Sequence, residues 1–109
     1  NHLIERLNVI DPVSYSSMLF LLEKCFLLLT DSGGMQKESI YFNTPCLTLR
    51  NETEWQETID AGINKLVGAN KKLIIKSALS HYKMKIPRNL FPYGRGDTAN
   101  KIVKIISDL

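Results

Sequence analysis

Thr30-Asp31-Ser32-Gly33-Gly34 holds the residue types best suited to chemistry, because it falls between a short apolar run, Phe26–Thr30, and a helical pattern, Met35–Phe42. A helix that starts there offers free backbone N–H groups and the positive end of its dipole, a fit for phosphate. Ser32 can cap the helix or donate its hydroxyl to a phosphate oxygen. Gly33 and Gly34 bring no side chain between an anion and the backbone. A capping serine with two turn glycines explains the same residues without any ligand, and spacing alone does not choose. Glu38 follows Gly34 by four residues, one turn of about 5.4 Å along the same helix face. A carboxylate there clears the phosphate and can accept hydrogen bonds from a neutral diol such as a ribose. On spacing alone, a solvated glutamate is the better reading.

Other matches fail on context. Asp31-Ser32-Gly33-Gly34 echoes the nucleophile loop of trypsin-like proteases, but strands here alternate with helices and no histidine–aspartate pair accompanies it. No Gly-Lys-Ser/Thr follows the glycines, and they do not form a GxGxxG fingerprint. His2 and His81 have no carboxylate at useful spacing and read as surface residues. Cys25 and Cys46 lack metal-ligand spacing and read as small buried hydrophobes in a reducing compartment. The chain thus shows binding residues without an acid–base pair.

The elements that must position this turn follow from pattern. Arg6–Ile10 suggests a strand closed by Asp11-Pro12, and Ser14–Lys24 has helical periodicity. Phe26–Thr30 and Cys46–Leu49 are continuous short apolar runs, as expected of parallel strands covered on both faces. Asn43-Thr44-Pro45 stops the helix between them. Glu54–Ala61 reads as a helix closed by Gly62, Lys65–Val67 as a weak strand and Lys71–Lys83 as a helix. Pro87 and Pro92 mark an irregular crossing. Asp97 is placed to cap a last helix with Ala99, Ile102, Val103, Ile106 and Leu109 on one face. The alternation predicts an α/β fold with a parallel sheet.

The 109 residues suit one compact unit with 44% hydrophobic and 23% charged residues, which excludes disordered, collagen-like and disulfide-scaffold classes. The longest apolar run, Met18–Leu29, is broken by Glu23 and Lys24, and spanning a bilayer takes about 20 apolar residues. No membrane segment or signal peptide is expected. Between Asp60 and Asp97 lie eight bases and no acid: Lys65, Lys71, Lys72, Lys76, Lys83, Lys85, Arg88 and Arg95. Leu73, Ile74, Ala78, Leu79 and Tyr82 fall at helical spacing among them, so the lysines read as a solvated helix face and no nucleic-acid partner is expected.

Several segments together resemble a known family: Leu29–Glu38, Asn43–Arg50, Thr53-Glu54, Ala61-Gly62 and Lys65–Gly68, with Asp11-Pro12 and Tyr15 before them and Pro92–Asp97 after. In order and over nearly the whole chain they are similar to the carboxyl-terminal part of UDP-N-acetylglucosamine 2-epimerases. The resemblance implies a parallel Rossmann-like sheet, residues 1–109 forming the later part of the carboxyl-terminal, UDP-binding domain of a glycosyltransferase-B type fold. The amino-terminal catalytic domain, with the acids and bases, is expected upstream of Asn1. The resemblance places the UDP phosphates on Ser32, Gly33 and Gly34 and the ribose on Glu38. Met18 matches an aromatic position near the uracil, and Arg50 an arginine near the nucleotide.

Besides Met18, which is not aromatic where the family is, two further departures stand out. Lys37 replaces the first acid of a Gln-Glu-Glu run, and Trp55 replaces the arginine after Thr-Glu. Tryptophan there is similar to the branch acting on UDP-2,3-diacetamido sugar acids. The implied reaction removes the C2 proton, expels UDP to leave a 2-acetamidoglycal, and re-adds UDP after the proton returns to the other face. No metal or other cofactor is implied, the location is cytoplasmic, and the fragment alone is expected to be inactive and to self-associate. Two other readings use the same residues: the donor-binding half of a glycosyltransferase-B enzyme, and a non-catalytic α/β interaction module.

Overall fold

The computed structural model describes residues 4–81 and 92–109. After a 3-10 turn at Ile4–Arg6, the chain runs α1 (Tyr15–Lys24), β1 (Leu28–Thr30), α2 (Gly33–Tyr41), β2 (Cys46–Thr48), α3 (Gln56–Asp60), β3 (Asn64–Leu66), α4 (Lys71–His81) and α5 (Thr98–Ser107). The three strands form one parallel sheet in the order β1-β2-β3. Leu29 pairs with Leu47, and Leu47 with Lys65. The expected α/β class and parallel sheet are what the chain adopts. Because the strands are parallel, the turn after β1 and the Arg50–Trp55 loop after β2 both leave from the carboxyl edge of the sheet.

The helices begin and end for local reasons. Ser14 caps α1 by accepting from the Ser17 amide at 3.3 Å. Ser32 caps α2 by accepting from the Met35 amide at 3.4 Å. Asn43 ends that helix at φ 53°, a conformation asparagine tolerates better than most residues. Gly62 adopts φ 75° between α3 and β3, where a Cβ would be strained.

The core centres on β2, where Cys46, Leu47 and Thr48 are all buried, joined by Leu22, Ile40, Ile63 and Val67. Much of the remaining interior is polar, and a group of its side chains forms a hydrogen-bonded network. Thr48 Oγ1 donates to Asn64 Oδ1 at 2.6 Å, and Asn64 Nδ2 donates to Gln36 Oε1 and to Thr58 Oγ1 at 3.1 and 3.0 Å. Thr53 Oγ1 also donates to Gln36 Oε1, at 2.6 Å, and accepts from the Trp55 amide at 3.0 Å. One network therefore ties α2 to β2, β3, α3 and the loop after β2.

Several expectations need correction. Arg6–Ile10 is not a strand: the 3-10 turn ends at Arg6, and Leu7, Val9 and Ile10 lie exposed with no sheet partner among the described residues. β1 is not covered on both faces, since Leu29 is exposed and so is Phe26 before it. The Leu28 amide bonds to Pro45 O, and Thr30 O accepts from Leu49 N, so both ends of β1 turn toward β2. The Leu29 backbone faces the open side, making β1 an edge. Asp97 precedes α5 but makes no side-chain cap; its carboxylate pairs instead with Lys101 at 3.0 Å, which holds its pKa below the ordinary value. α5 buries none of its residues, and Ile102, Val103 and Ile106 are exposed.

On α4, Lys71, Lys72 and Lys76 are solvated as expected. The inward residues are Ser77 and His81, however, while Leu79 is exposed. His81 is thus not a surface residue. Burial, then the charge of Lys65, pulls its pKa below 6.5. Of the cysteines, Cys46 is buried, which raises its thiol to about 11, and Cys25 is half-buried. His2, Tyr82, Lys83, Lys85, Pro87 and Arg88, with the end of the helix expected to reach Lys83, lie outside the described residues.

Candidate functional site

The turn between β1 and α2 is built from backbone. The Ser32 amide donates to Thr30 Oγ1 at 3.0 Å, fixing the exit from the strand. Ser32 O and Oγ accept from the amides of Gln36 and Met35. The Gly33 and Gly34 amides find no acceptor among the described residues. They are the unpaired donors that a helix start presents to an anion.

The two glycines differ in access. A Cβ on Gly34 would meet only Ser32 Oγ, at 3.9 Å, so that half of the turn is open. A Cβ on Gly33 would collide with Glu54 Oε1 and lie 3.2 Å from Trp55 Nε1. The loop after β2 closes over Gly33, so a side chain there would have to displace Glu54. Glu54 is held in turn by Arg50, whose Nη1 lies 3.2 Å from Glu54 Oε2. Arg50 therefore reaches the turn through Glu54, and the two line a cleft of about 260 Å³ with Glu52 and Thr53.

Beside Gly34 opens a larger cavity of about 440 Å³, lined by Tyr15, Leu19, Gly34, Lys37, Glu38, Tyr41 and Phe42. Glu38 Oε1 accepts from the Tyr15 hydroxyl at 2.7 Å, and this bond raises the Tyr15 pKa. Glu38 Oε2 is buried and has no partner among the described residues. A buried carboxylate oxygen left without a donor is costly, which sets Glu38 apart among the residues lining the cavity.

At the Lys37 edge of the cavity stands an aromatic pair. Trp55 and Tyr93 meet edge to face with centroids 5.9 Å apart. Lys37 Nζ lies 4.8 Å from the Trp55 ring and 4.9 Å from the Tyr93 ring. Tyr93 donates to Glu57 Oε2 at 3.2 Å; burial first, then this carboxylate, raises its pKa to about 12. Trp55 Nε1 is buried and unpartnered among the described residues.

The structure thus brings Ser32, Gly33, Gly34 and Glu38 onto one helix start, with Arg50 adjacent. Met18 is placed elsewhere: it lines a neighbouring cavity of about 290 Å³ with Leu21, Leu29 and Met35, while Tyr15 and Leu19 of the same helix face Glu38. Sequence reasoning did not assign roles to the Tyr15 and Tyr93 hydroxyls or to Gln36. A tyrosine one position after an N-cap carries no local sign of a partner 23 residues away. Among the described residues no group of three or more His, Cys, Asp or Glu side chains is placed to hold a metal ion, and no helix is long and apolar enough to cross a membrane.

The sequence model of the UDP-N-acetylglucosamine 2-epimerase family matches residues 1–107. A UDP-2,3-diacetamido-2,3-dideoxy-D-glucuronate 2-epimerase from Pseudomonas aeruginosa is 43% identical over 101 residues, 93% of this chain and 28% of that protein. The solved UDP-GlcNAc 2-epimerase of Methanocaldococcus jannaschii superposes with a TM-score of 0.81 at 40% identity, over 92% of this chain and 28% of that one. The same organism's enzyme in complex with UDP-GlcNAc and UDP gives 0.79 at 42% identity, over 92% of this chain and 27% of that one. This chain spans little more than a quarter of the length of these relatives. The likeness carries the expected Rossmann-like, glycosyltransferase-B type assignment. With a family-wide match over nearly every residue and the same fold in the solved relatives, the chain belongs to the UDP-N-acetylglucosamine 2-epimerase family.

Proposed function

We propose that this chain is the UDP-binding portion of a nucleotide-sugar 2-epimerase, corresponding to the later part of the carboxyl-terminal domain. The observation that carries the reading is one cavity lined both by Gly34, at an open turn of unpaired amides, and by Glu38, one helical turn further on, whose second carboxylate oxygen is buried without a protein donor among the described residues. The diphosphate sits on Ser32, Gly33 and Gly34, and a ribose hydroxyl donates to Glu38 Oε2. Arg50 supplies positive charge when Glu54 releases it. A relative solved with UDP-GlcNAc and UDP supports the ligand class.

The reaction proposed is elimination and re-addition. A base takes the C2 proton, the C1–O bond breaks with its electrons passing to the β-phosphate oxygen, and a 2-acetamidoglycal remains. Proton return on the opposite face and re-addition of UDP complete the inversion. Negative charge grows on the departing diphosphate, where oriented N–H groups stabilise it most. The proton-transfer groups are assigned to sequence beyond this chain, so the chain by itself turns nothing over, and no cofactor takes part. Relatives name both UDP-N-acetylglucosamine and a UDP-diacetamidoglucuronate as substrates.

Self-association and a cytoplasmic location belong to the same proposal. Phe20, Phe26 and Leu29 leave apolar surface around the open edge of β1, which favours pairing with another chain. A mass well above 12.4 kDa in sedimentation would support this.

Titration with UDP tests the site. UDP at about a hundred times its Kd adds about 2.7 kcal/mol of stability, a rise on the order of 10 °C in Tm for a domain of this size. Ser32→Ala and Glu38→Ala each lower the affinity. Unchanged UDP affinity in both variants overturns the assignment.

A further inference from the structure

The cations near the phosphate turn are not equivalent. Arg50 is neutralised by Glu54 at 3.2 Å. Lys37, one turn into α2, has no carboxylate oxygen within 4.0 Å among the described residues, Glu38 included. Its ammonium is instead held over two ring faces, 4.8 Å from Trp55 and 4.9 Å from Tyr93. Such faces attract a cation and fix its position, but they carry no net charge and leave it able to bind an anion. Lys37 also lines the 440 Å³ cavity that contains Gly34 and Glu38.

The helix sets which part of a ligand meets which residue. Lys37 and Glu38 are successive residues and so lie about 100° apart around α2. Glu38, bonded to Tyr15, and Lys37, held over Trp55, both line the cavity, and Trp55 Nε1 would lie 3.2 Å from a Cβ on Gly33. With the diphosphate on the turn that precedes both and the ribose on Glu38, Lys37 is the charged group of the cavity left to meet the sugar. An uncharged sugar would leave that fixed ammonium unneutralised in a half-buried setting. A carboxylate on the sugar would complete a charge-assisted hydrogen bond.

We propose that Lys37, clamped by Trp55 and Tyr93, is a specificity-determining residue that selects nucleotide sugars bearing a carboxylate. The inference rests on the UDP-site reading above and adds the charge of the sugar to it. Trp55 and Tyr93 act through Lys37 as positioning residues. Trp55 also aims a buried, unpartnered Nε1–H near Gly33, a second donor on the sugar side of the turn.

UDP-glucuronate and UDP-glucose differ only in a carboxylate in place of a hydroxymethyl group, so calorimetric titration of this chain with each, and with UDP, isolates the effect. The wild type binds UDP-glucuronate about tenfold more tightly than UDP-glucose, the scale of one charge-assisted hydrogen bond. Lys37→Gln weakens UDP-glucuronate about tenfold more than it weakens UDP-glucose. Lys37→Arg keeps the preference, and Trp55→Leu reduces it in part. Equal affinities for the two sugars in the wild type, or an equal loss of both in Lys37→Gln, overturn the proposal while UDP binding stands. No binding of UDP overturns the site reading and this inference with it.

Discussion

The Tyr15 hydroxyl donates to Glu38 Oε1 at 2.7 Å, joining the start of α1 to the middle of α2 beside the cavity of about 440 Å³ that both residues line. The bond fixes the carboxylate, whose second oxygen is buried without a protein donor among the described residues. Tyr15→Phe removes the fixing donor but leaves the ring. UDP affinity should fall by about fivefold, less than in Glu38→Ala, where the acceptor itself is lost. Parallel titrations of the two variants give the order, and a larger loss in Tyr15→Phe contradicts this arrangement.

Alanine at the two turn glycines should separate folding from binding. At Gly34 a Cβ has space, and replacing glycine near a helix start stabilises the free protein by up to about 1 kcal/mol. The same Cβ stands between the amides and a phosphate, so UDP affinity should drop by about tenfold or more. At Gly33 the Cβ collides with Glu54 Oε1, the end of a flexible side chain, and displaces the Arg50 pair. Gly33→Ala should therefore bring no gain in stability. Thermal unfolding with and without UDP reads both effects.

Gln36 lies wholly inside the protein, and its Oε1 accepts from both Thr53 and Asn64. Gln36→Leu leaves those two donors buried without their acceptor. A loss of about 2 kcal/mol in urea unfolding is expected, the range for stranded buried polar groups. Because Thr53 carries the loop that closes on Gly33, UDP binding should weaken as well. A change below about 0.5 kcal/mol would show that the network is not cooperative.

His81 gives stability a pH dependence. Burial and the charge of Lys65 lower its pKa in the folded chain below 6.5, so the folded state favours the neutral ring. Near and below pH 6.5 the unfolded chain binds the extra proton and the folded chain resists it. Stability should accordingly fall as pH drops from 7 through the depressed folded value, and then level off. His81→Phe should flatten that part of the curve in denaturant titrations. An unchanged slope would place its origin in other groups.

How far the sequence revealed this molecule depended on the range of the forces involved. Helix starts at Ser14 and Ser32 and the stops at Asn43 and Gly62 were legible, because capping and backbone conformation are decided within a few residues. The parallel β1-β2-β3 sheet followed from alternating short apolar runs. Asp97 was misjudged for an equally local reason: its carboxylate had a competing partner in Lys101, one turn along. The Arg6–Ile10 run has a strand's apolarity, yet among the described residues no neighbouring strand offers it hydrogen bonds.

By itself the sequence determined the order of elements from α1 onward, the placing of Ser32, Gly33 and Gly34 at a helix start, and membership of a family that spans nearly every residue. Only the tertiary structure decided that Tyr15 holds Glu38, that Glu54 and Trp55 close on Gly33, and that Lys37 rests between two rings. Propensity and capping act between chain neighbours and are written in local spacing. Those later contacts join residues 18 or more positions apart, and their distances exist only once parallel pairing has set the loops of β1 and β2 side by side.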